Sequence, residues 1–531
     1  MPQPNFLIIQ ADQLAGPSLP MYGNTIVQAP HLSALAERGT TFHNMYCNNP
    51  VCGPSRASMM TGQLSSVVGC YDNAGEYLSS HPTFAHYLRH LGYRTCLSGK
   101  MHFVGSDQLH GFEERITTDI YPSDYGWTAD WSQQSEPYSP SVMSMHGIVE
   151  AGVCDRSLQI DYDEEVCFQA VRKIYDYARD TDERPFLLMA SFTHPHNPFV
   201  TQQKYWDLYD HAAINLPSVP HIPVEQRDPW SQRYYYTIRQ DEFDITDEHI
   251  RTARHAYYGM ISYLDDLVGQ ILSALDQTGQ AENTYVFFIS DHGDMLGERG
   301  MWYKFNPFEW SVRVPMIVAG PDVTSAHIER RGVSLLDLLP TLVDLAAGPS
   351  EAPDYAEPIA GRSLARMLRN SDTDRQDRVL MEYTGEGTYA PCLMLRDDGF
   401  KYIHCRTDPP MMFDLDNDPG ERVNLAGKAE HAEREDRFKA LIEQTWDYDA
   451  LETDVLRSQK RRLFVQQCLM KGKWTGWDHQ PFEDATRAYV RGAIDPNTTA
   501  TKARRRLPYV TPTKPERPRK LPLAIDLEPK A

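Results

Sequence analysis

The residues most able to do chemistry surround one cysteine. Cys52 opens the run 52–56, Cys-Gly-Pro-Ser-Arg, and Thr61 and Gly62 follow at short distance. Taken alone, Cys52 has a plain interpretation as a buried free thiol, because cysteine is commonly a small interior hydrophobic residue. The residues around Cys52, together with distant segments of the chain, argue against that interpretation. We therefore interpret the run as a functional motif and look for partners elsewhere in the chain.

Candidate partners follow the apolar segments of the sequence. Asp12 comes after Asn5–Gln10, Lys100 after Tyr93–Leu97, His196 after Pro185–Phe192, and Asp291 after Tyr285–Ser290. The run at Pro185 is short and continuously apolar, which is typical of a central parallel strand buried on both faces. Ligands of such sheets bind beyond the carboxyl ends of the strands. We therefore expect these polar residues to meet at one site.

Helical patterns alternate with these strands over the first two thirds of the chain. Leu264, Leu267, Val268 and Ile271 recur at helical spacing, and Gly279 is suited to end that helix. Strand–helix alternation predicts an α/β fold with a large mixed, mostly parallel sheet sandwiched by helices. The predicted helices are 30–39, 82–91 and 253–278, and a further strand is expected at 41–47, before a loop at Cys52.

The Cys52 run resembles the C-x-P-S-R-x-x-x-x-T-G signature of type I sulfatases, which belong to the alkaline phosphatase superfamily. In that family a formylglycine-generating enzyme reads C-x-P-x-R and oxidises the cysteine to formylglycine. The hydrated aldehyde then attacks the sulfur of a sulfate ester. The resemblance implies a formylglycine derived from Cys52, a small sulfate ester as substrate, and a divalent metal ion.

The resemblance also implies a set of metal ligands. Asp12 and Asp291 match two ligand positions, His292 takes a place where many sulfatases carry Asn, and the oxygen derived from Cys52 completes the set. Many members have two adjacent Asp residues where this chain has Asp12-Gln13. An imidazole in place of a carboxylate favours Ca²⁺ or Mn²⁺ over Ca²⁺ alone. The alternative for Asp-His-Gly is a strand-end turn with an exposed histidine.

A second implied set holds the transferring anion, which needs cations and hydrogen-bond donors. Each member has an ordinary alternative: Lys304 could be a solvated loop lysine, and His102 a core histidine. His194 could act in place of His196, although the family motif favours His196. The implied catalytic residues are Cys52, Arg56, Lys100, His102, His196 and Lys304, with Asn73 as an amide donor to substrate.

Several segments resemble the choline sulfatase branch, among them 98–105, 107–115, 118–122 and the C-terminal run from Ser458 to Pro481. A choline head group needs aromatic faces and a carboxylate around its quaternary ammonium. Trp127 and Glu386 stand where that branch places such groups, although a tryptophan is also a common core residue. The stretch 139–147 departs from the branch, so another alkyl sulfate or an aryl sulfate remains an alternative substrate.

The pattern of the chain changes after about residue 385. Short strand signals at 393–396, 401–405 and 411–415 are separated by turns, and the last residues are rich in Pro, Lys and Arg. We predict a catalytic α/β domain (1–385), a small sheet-plus-helix subdomain (386–455) and a C-terminal extension (456–531). The extension, with its basic segment 457–463, is expected to assemble a homodimer or homotetramer. The alternative is a disordered tail.

Composition excludes several other classes of protein. The net charge of −21 provides no basic field for a nucleic acid or an anionic membrane. No apolar run approaches the ~20 residues of a spanning helix, and the N-terminus reads as a strand and not as a signal peptide. Nine cysteines without C-x-x-C pairs argue against a disulfide scaffold. We therefore expect a cytoplasmic protein without a nucleic-acid or membrane partner.

Three functions remain open at this point. The first is a sulfuric ester hydrolase acting on a small alkyl sulfate such as choline sulfate, or on an aryl sulfate. The second is a phosphonate monoester or phosphodiester hydrolase of the same superfamily, because such substrates carry a similar single charge. The third is a catalytically silent binding protein.

Overall fold

The computed structural model describes residues 3–132, 143–348, 355–371, 374–471, 506–511, 513–514 and 516 of the 531-residue chain. Its centre is a mixed sheet that is mostly parallel, as expected. The strands, in chain order, are β1 (Asn5–Ala11), β2 (Thr40–Phe42), β3 (Met45–Tyr46), β4 (Arg94–Gly99), β5 (Glu114–Arg115), β6 (Gly152–Val153), β7 (Arg156–Ser157), β8 (Phe186–Ser191), β9 (Val200–Thr201), β10 (Thr284–Ser290), β11 (Met316–Ala319), β12 (His327–Glu329), β13 (Val333–Ser334), β14 (Arg378–Tyr383), β15 (Cys392–Asp397), β16 (Phe400–Cys405), β17 (Met411–Asp414) and β18 (Arg506–Leu507).

The large sheet has eight strands in the order β12-β2-β11-β10-β1-β8-β4-β5. Strand β1 pairs in parallel with β10 on one side and with β8 on the other, and β8 pairs in parallel with β4. Only β11 runs antiparallel to both of its neighbours. The central strands are buried on both faces, which explains why their sequences are continuously apolar and do not alternate.

Helices pack on this sheet in two groups. One contains α1, α6 and α9, the other α2, α4 and α11, and both α4 and α6 contact β4. The helices are α1 (Pro30–Glu37), α2 (Cys52–Thr61), α3 (Ser65–Val68), α4 (Phe84–His90), α5 (His146–Val149), α6 (Leu158–Arg179), α7 (Gln203–Trp206), α8 (Pro229–Thr237), α9 (Asp247–Gln277), α10 (Glu309–Val312), α11 (Leu338–Ala347), α12 (Ala365–Leu368), α13 (Ala432–Thr445) and α14 (Tyr448–Leu469).

A small antiparallel sheet follows the large one, with the order β14-β15-β16-β17. Its first strand begins at Arg378, a few residues before the change of sequence pattern at 385. Helix α14 then contains the basic segment 457–463. Further along the C-terminal extension, strand β18 pairs antiparallel with β7 of the same chain. Among the described residues, no helix combines the length and apolarity needed to cross a membrane.

Two local expectations were wrong. The strand expected at 41–47 is divided, because β2 pairs with β11 and β12 whereas β3 pairs with β13 in a separate small sheet. Cys52 lies at the start of helix α2 and not in a loop. Pro54 is compatible with this, because a proline in the first turn removes an N–H that has no partner within the helix.

Candidate active site

The carboxyl ends of four neighbouring parallel strands carry the predicted polar residues. Asp12 directly follows β1, Lys100 follows β4, and Asp291 follows β10. The loop after β8 reaches His196 through a turn in which the His196 N–H donates to the Thr193 carbonyl at 2.9 Å. These strands are adjacent in the order β10-β1-β8-β4, so the sheet brings the four loops to one edge.

The predicted metal ligands form one buried cluster. One ligand atom from each of Asp12, Cys52, Asp291 and His292 lies within 4.8 Å of the other three. His292 Nε2 is 3.7 Å from Asp12 Oδ1 and 3.8 Å from Asp291 Oδ1. The other ring nitrogen, Nδ1, lies 3.1 Å from the Gly293 carbonyl, which orients the ring with Nε2 towards the carboxylates. Burial lowers the pKa of His292 to about 3, so the imidazole is neutral, as a metal ligand requires.

The Cys52 thiol is held at this cluster by the first turn of α2. Its Sγ lies 3.0 Å from His292 Nε2 and 3.9 Å from Asp12 Oδ1. Burial raises the pKa of Cys52 to about 11, so the thiol is protonated at neutral pH and is a poor nucleophile. Asn73 accepts from the Gly53 N–H at 3.0 Å and thereby caps the helix beside Cys52.

Arg56 is fully buried one turn further along α2 and ties three strand ends together. Its Nε donates to Asp291 Oδ2 at 2.8 Å, and its Nη1 donates to the Lys100 carbonyl at 2.6 Å and to Ser191 Oγ at 2.9 Å. The Nη2 nitrogen lies 3.6 Å from Asp12 Oδ2. The guanidinium therefore neutralises the carboxylates and fixes their orientation.

Lys100 provides a second buried cation. Its Nζ donates to Asp12 Oδ2 and lies 4.1 Å above the ring centre of Tyr121. Burial lowers the pKa of Lys100 to about 7, and the charge of Asp291 opposes this shift. An ammonium group held in a site without solvent is suited to an anionic ligand.

Lys304 and His196 meet on the other side of the cluster. Lys304 Nζ lies 2.6 Å from His196 Nε2, and His196 Nδ1 donates to the Asn197 carbonyl at 2.7 Å. This places the proton of a neutral imidazole on Nδ1 and leaves Nε2 to accept from the ammonium. Gln13 Oε1 also accepts from Lys304. Burial lowers the pKa of both residues, and the positive charge of Lys304 lowers the pKa of His196 further.

His194 lies apart from this pair. Its Nδ1 is 2.7 Å from Asp163 Oδ2, and its ring packs edge-on against Tyr263 at 4.6 Å. The same carboxylate accepts the N–H groups of Thr193 and His194. The geometry gives His194 a structural position and leaves His196 facing the cations.

An aromatic wall borders His102. Neither ring nitrogen of His102 has a hydrogen-bond partner in the described part of the chain, and the residue is only 3% exposed. The ring packs edge-on against Trp127 at 5.6 Å and lies 5.3 Å from the ring of Tyr121. Burial lowers the pKa of His102 to about 3, and the charge of Lys100 lowers it further. A neutral imidazole without a partner is available to take a proton from a bound molecule.

Trp127 contacts the site directly, whereas Glu386 influences it through its charge. Trp127 is half-buried and also packs against Tyr121 at 5.4 Å. Glu386 is half-buried as well, and its charge partly opposes the lowering of the Lys304 pKa that burial causes. Tyr121 OH lies 3.2 Å from His196 Nδ1, so this tyrosine connects the aromatic wall to the lysine–histidine pair.

Sequence reasoning missed several buried groups that orient the site. Asp119 accepts the N–H groups of Met101 and His102 at 3.0 and 2.9 Å, and thereby holds the Lys100 loop. Gln13 donates to Asn197 Oδ1 at 3.1 Å as well as accepting from Lys304. The only sequence signal for Asp119 and Gln13 is that each is a polar residue close to a predicted site residue.

The whole chain can now be compared with known proteins. Residues 4–349 match the Sulfatase family, residues 453–505 match the choline sulfatase enzyme C-terminal family, and residues 297–447 match the C-terminal family of N-sulphoglucosamine sulphohydrolase. The chain belongs to the sulfatase family and is a sulfuric ester hydrolase. The family implies a formylglycine and a divalent metal ion.

Individual relatives agree with this assignment. The chain is 44% identical over 504 residues to the choline-sulfatase of Rhizobium meliloti, which covers 93% of this chain and 97% of the relative. It is 28% identical to an arylsulfatase of Clostridium perfringens, over 83% and 94% of the two chains. Among solved structures, the phosphonate monoester hydrolase SpPMH of Silicibacter pomeroyi has a TM-score of 0.68 at 23% identity, covering 83% and 95% of the two chains. That last likeness concerns the fold alone.

Proposed function

We propose that this sulfatase hydrolyses a small alkyl sulfate and that choline sulfate is its substrate. The observation that carries the proposal is the aromatic wall, Tyr121 and Trp127, beside the cation pair of Lys100 and Lys304. The cations suit the sulfate, and aromatic faces together with the carboxylate of Glu386 suit a quaternary ammonium. The 44% identity to a choline-sulfatase over nearly the whole chain supports the same substrate. An aryl sulfate is the alternative substrate.

The donor set fits a divalent metal ion. Asp12, Asp291 and His292 would hold it together with the oxygen derived from Cys52, because buried carboxylates and a neutral imidazole are suitable ligands. The mixture of oxygen and nitrogen donors leads us to propose Ca²⁺ or Mn²⁺. When bound, the ion would neutralise the ester oxygens and lower the pKa of the nucleophile.

Formylglycine at position 52 would supply a hydrated aldehyde whose hydroxyl attacks sulfur. The position of the Cys52 Sγ stands in for those oxygens, and the high pKa of the unmodified thiol makes the thiol itself a poor nucleophile. A formylglycine-generating enzyme is therefore the maturation partner that we propose.

The protein's own side chains would bind the sulfate and move protons. Arg56 orients residue 52 and Asp291, while Lys100 and Lys304 bind the sulfuryl oxygens. His196 or Lys304, which share a hydrogen bond, gives a proton to the leaving alcohol oxygen. His102 takes the proton of the second hydroxyl on a ring nitrogen, since no described residue occupies either nitrogen. Asn73 donates to the substrate from its amide.

Assembly and location are further parts of the proposal. The described residues after 505 lie on the surface of their own chain, where the Thr513 N–H donates to Glu150 Oε1 beside helix α5 at 2.7 Å. An extended arm of this kind can reach a neighbouring subunit, and we propose a homodimer or homotetramer. All nine cysteines are free thiols, which supports a cytoplasmic location.

A set of matched substrates tests the proposed activity. We would compare choline sulfate with 3,3-dimethylbutyl sulfate, in which carbon replaces the ammonium nitrogen, and with a phosphonate monoester that shares the leaving group of an aryl sulfate. A cation-recognising wall should favour choline sulfate over its neutral isostere by roughly tenfold or more in kcat/KM. Equal kcat/KM values for the two alkyl esters would reject choline sulfate as the substrate. A higher rate on the phosphonate than on the matched sulfate would favour the phosphonate monoester or phosphodiester alternative.

A further inference from the structure

Helix α14 carries a basic segment that the catalytic proposal leaves unused. Its exposed basic members are Arg457, Lys460 and Arg461, whereas Arg462 is only 2% exposed. The guanidinium of Arg462 forms two hydrogen bonds to Asp72, with Nη1 2.5 Å from Oδ1 and Nη2 3.0 Å from Oδ2. This is a bidentate ion pair between residues 390 positions apart in the sequence, and it is buried on both sides.

The Arg462–Asp72 pair is the centre of a buried network. Arg462 Nε donates to Ser458 Oγ at 3.1 Å within the helix, and Nη1 also lies 3.3 Å from Thr128 Oγ1. The other face of Asp72 accepts the N–H groups of Ala74 at 3.0 Å and Ala129 at 3.2 Å. The ion pair therefore joins α14 to two separate loops, 72–74 and 128–129.

Gln459, the preceding residue of α14, extends the network to a third segment. Its Oε1 accepts the Trp131 N–H at 2.9 Å, and the Trp131 indole Nε1–H donates to the Gly385 carbonyl at 3.0 Å. The hydroxyl of Thr384 in turn donates to the Tyr71 carbonyl at 2.7 Å, which closes the connection between the first and third segments.

Each of these three segments carries one proposed substrate-binding residue directly beside its contact. Asn73 follows Asp72, Trp127 precedes Thr128, and Glu386 follows Gly385. None of the three substrate residues touches α14 itself in the contacts described above. The helix instead fixes the backbone next to each of them.

We propose that Arg462 is a positioning residue for substrate selection. It holds Asp72, and with it Asn73, the proposed amide donor to the substrate. It also holds the backbone beside Trp127 and, through Gln459 and Trp131, the backbone beside Glu386, so that these two side chains face the choline head group. The inference rests on the proposed substrate. It gives the inward face of the basic segment a role within its own chain, distinct from the assembly expected of the exposed basic residues.

The guanidinium is required for geometric reasons. Only arginine offers a planar fork that can occupy both oxygens of Asp72 while donating from Nε to Ser458. Removing it leaves Asp72 buried with an unpaired charge, which would draw that loop towards water. Lysine at this position keeps the charge but can satisfy the fork only in part.

The test compares Arg462→Met and Arg462→Lys with the control Lys428→Met, which removes an exposed cation outside the C-terminal extension. The readout is the ratio of kcat/KM for choline sulfate to kcat/KM for 3,3-dimethylbutyl sulfate. Partial unfolding lowers the amount of active enzyme and cancels in this ratio. We expect Arg462→Met to reduce the ratio at least fivefold, mainly through KM for choline sulfate, and Arg462→Lys to retain an intermediate ratio. Lys428→Met should leave the ratio unchanged.

Several outcomes would overturn the inference. An unchanged ratio in Arg462→Met, or a fall in kcat of equal size on both esters, would show that the pair only stabilises the fold. If Arg462→Met cannot be obtained folded, the same criteria apply to Arg462→Lys, whose ratio must then fall. If the wild type itself does not prefer choline sulfate, the proposed substrate is wrong. The positioning role is then judged by the ratio of 3,3-dimethylbutyl sulfate to 4-nitrophenyl sulfate, and an unchanged ratio rejects it.

Discussion

Arg56 and Asp291 form a fully buried ion pair in which Nε lies 2.8 Å from Oδ2. The second carboxylate oxygen, Oδ1, accepts the Gln13 N–H at 3.1 Å and faces His292 Nε2 at 3.8 Å. Burial alone would raise the pKa of Asp291, but the Arg56 and Lys100 cations, together with the hydrogen bond from the Gln13 N–H, outweigh it and hold this pKa below its usual range. The carboxylate is therefore ionised before any metal ion binds. One side chain of α2 thus prepares a ligand at the end of β10.

The first prediction concerns these metal ligands. Asp12→Ala or Asp291→Ala should lose bound metal and activity together, because each change removes one of only two carboxylates in the cluster. His292→Asn should keep metal but shift preference towards Ca²⁺, since an amide oxygen replaces a nitrogen donor. Elemental analysis of purified protein measures both effects, with the exposed Asp322→Asn as control. Full metal occupancy in Asp291→Ala would contradict the ligand assignment.

Maturation gives the second prediction. Native protein from a host with a formylglycine-generating enzyme should yield a peptide in which residue 52 has lost its sulfur. Pro54→Ala should abolish this conversion, because the proline is part of the recognised run. Gly53→Ala is the matched control, because the C-x-P-x-R run accepts any residue at this position. The new Cβ would come no closer than 3.5 Å to Asn73. Peptide mass spectrometry measures the converted fraction of residue 52. Full activity of a protein that keeps the Cys52 thiol would contradict the formylglycine mechanism.

The strand ends of the site could be predicted from sequence because two signals coincide there. Asp12 and Asp291 follow continuously apolar runs, and such runs are central strands whose carboxyl ends share one edge. The small sheet beyond residue 385 was also visible, since Cys392–Asp397 and Phe400–Cys405 are separated by a two-residue turn. Local pattern and tertiary position agree in both cases.

What sequence reasoning could not give were contacts between distant segments. The basic segment of α14 was interpreted as one surface, yet Arg462 is paired with Asp72 in the interior. Asp163 on α6 is likewise one acidic residue among several until the fold places it against His194. The start of α2 at Cys52 was missed because Gly53 and Pro54 favour a turn, whereas the Asn73 cap and the packing of α2 favour a helix.

The third prediction concerns stability and pH. Asp265 accepts the N–H groups of His31 and Leu32 at the start of α1, and burial raises its pKa from 3.8 to about 6. Between these two values the folded state binds a proton that the unfolded state has released. The free energy of unfolding should therefore fall by about 2–3 kcal/mol through this group as pH rises across the window, and stay level above it.

Asp265→Asn removes this ionisation and so isolates it. Urea unfolding at pH 4 and pH 6.5 should show that the wild type loses stability relative to Asp265→Asn as the pH rises. The exposed Asp276→Asn, on the same helix α9, should follow the wild type at both values. A constant difference between wild type and Asp265→Asn would mean that burial does not shift the pKa of this carboxyl.

The fourth prediction concerns assembly. We expect a dimer or tetramer by light scattering. Truncation after Val510 removes Thr513, whose backbone contacts His146 at 2.8 Å and Glu150 at 2.7 Å, and Glu516, whose carboxylate accepts the Asp244 N–H at 2.7 Å. The shortened chain should assemble more weakly. Its relative kcat/KM values for different sulfate esters should change more than its kcat on any one of them. A monomeric wild type, or unchanged assembly and kinetics after truncation, would defeat this prediction.

The last prediction separates the two histidines after β8. His196→Ala should lose about 10²–10⁴-fold in kcat on choline sulfate, because its poor leaving alcohol needs a proton from the acid that His196 and Lys304 form. The loss should be smaller on 4-nitrophenyl sulfate, whose leaving group is stable as an anion. His194→Ala is the matched comparison two residues away. It breaks a buried contact with Asp163, so it should lower the melting temperature and reduce the rates on both esters by one common factor. Steady-state kinetics on the two esters, together with thermal unfolding, distinguish these patterns. A loss of equal size on both esters in His196→Ala would remove the acid role, and a leaving-group-dependent loss in His194→Ala would transfer that role to His194.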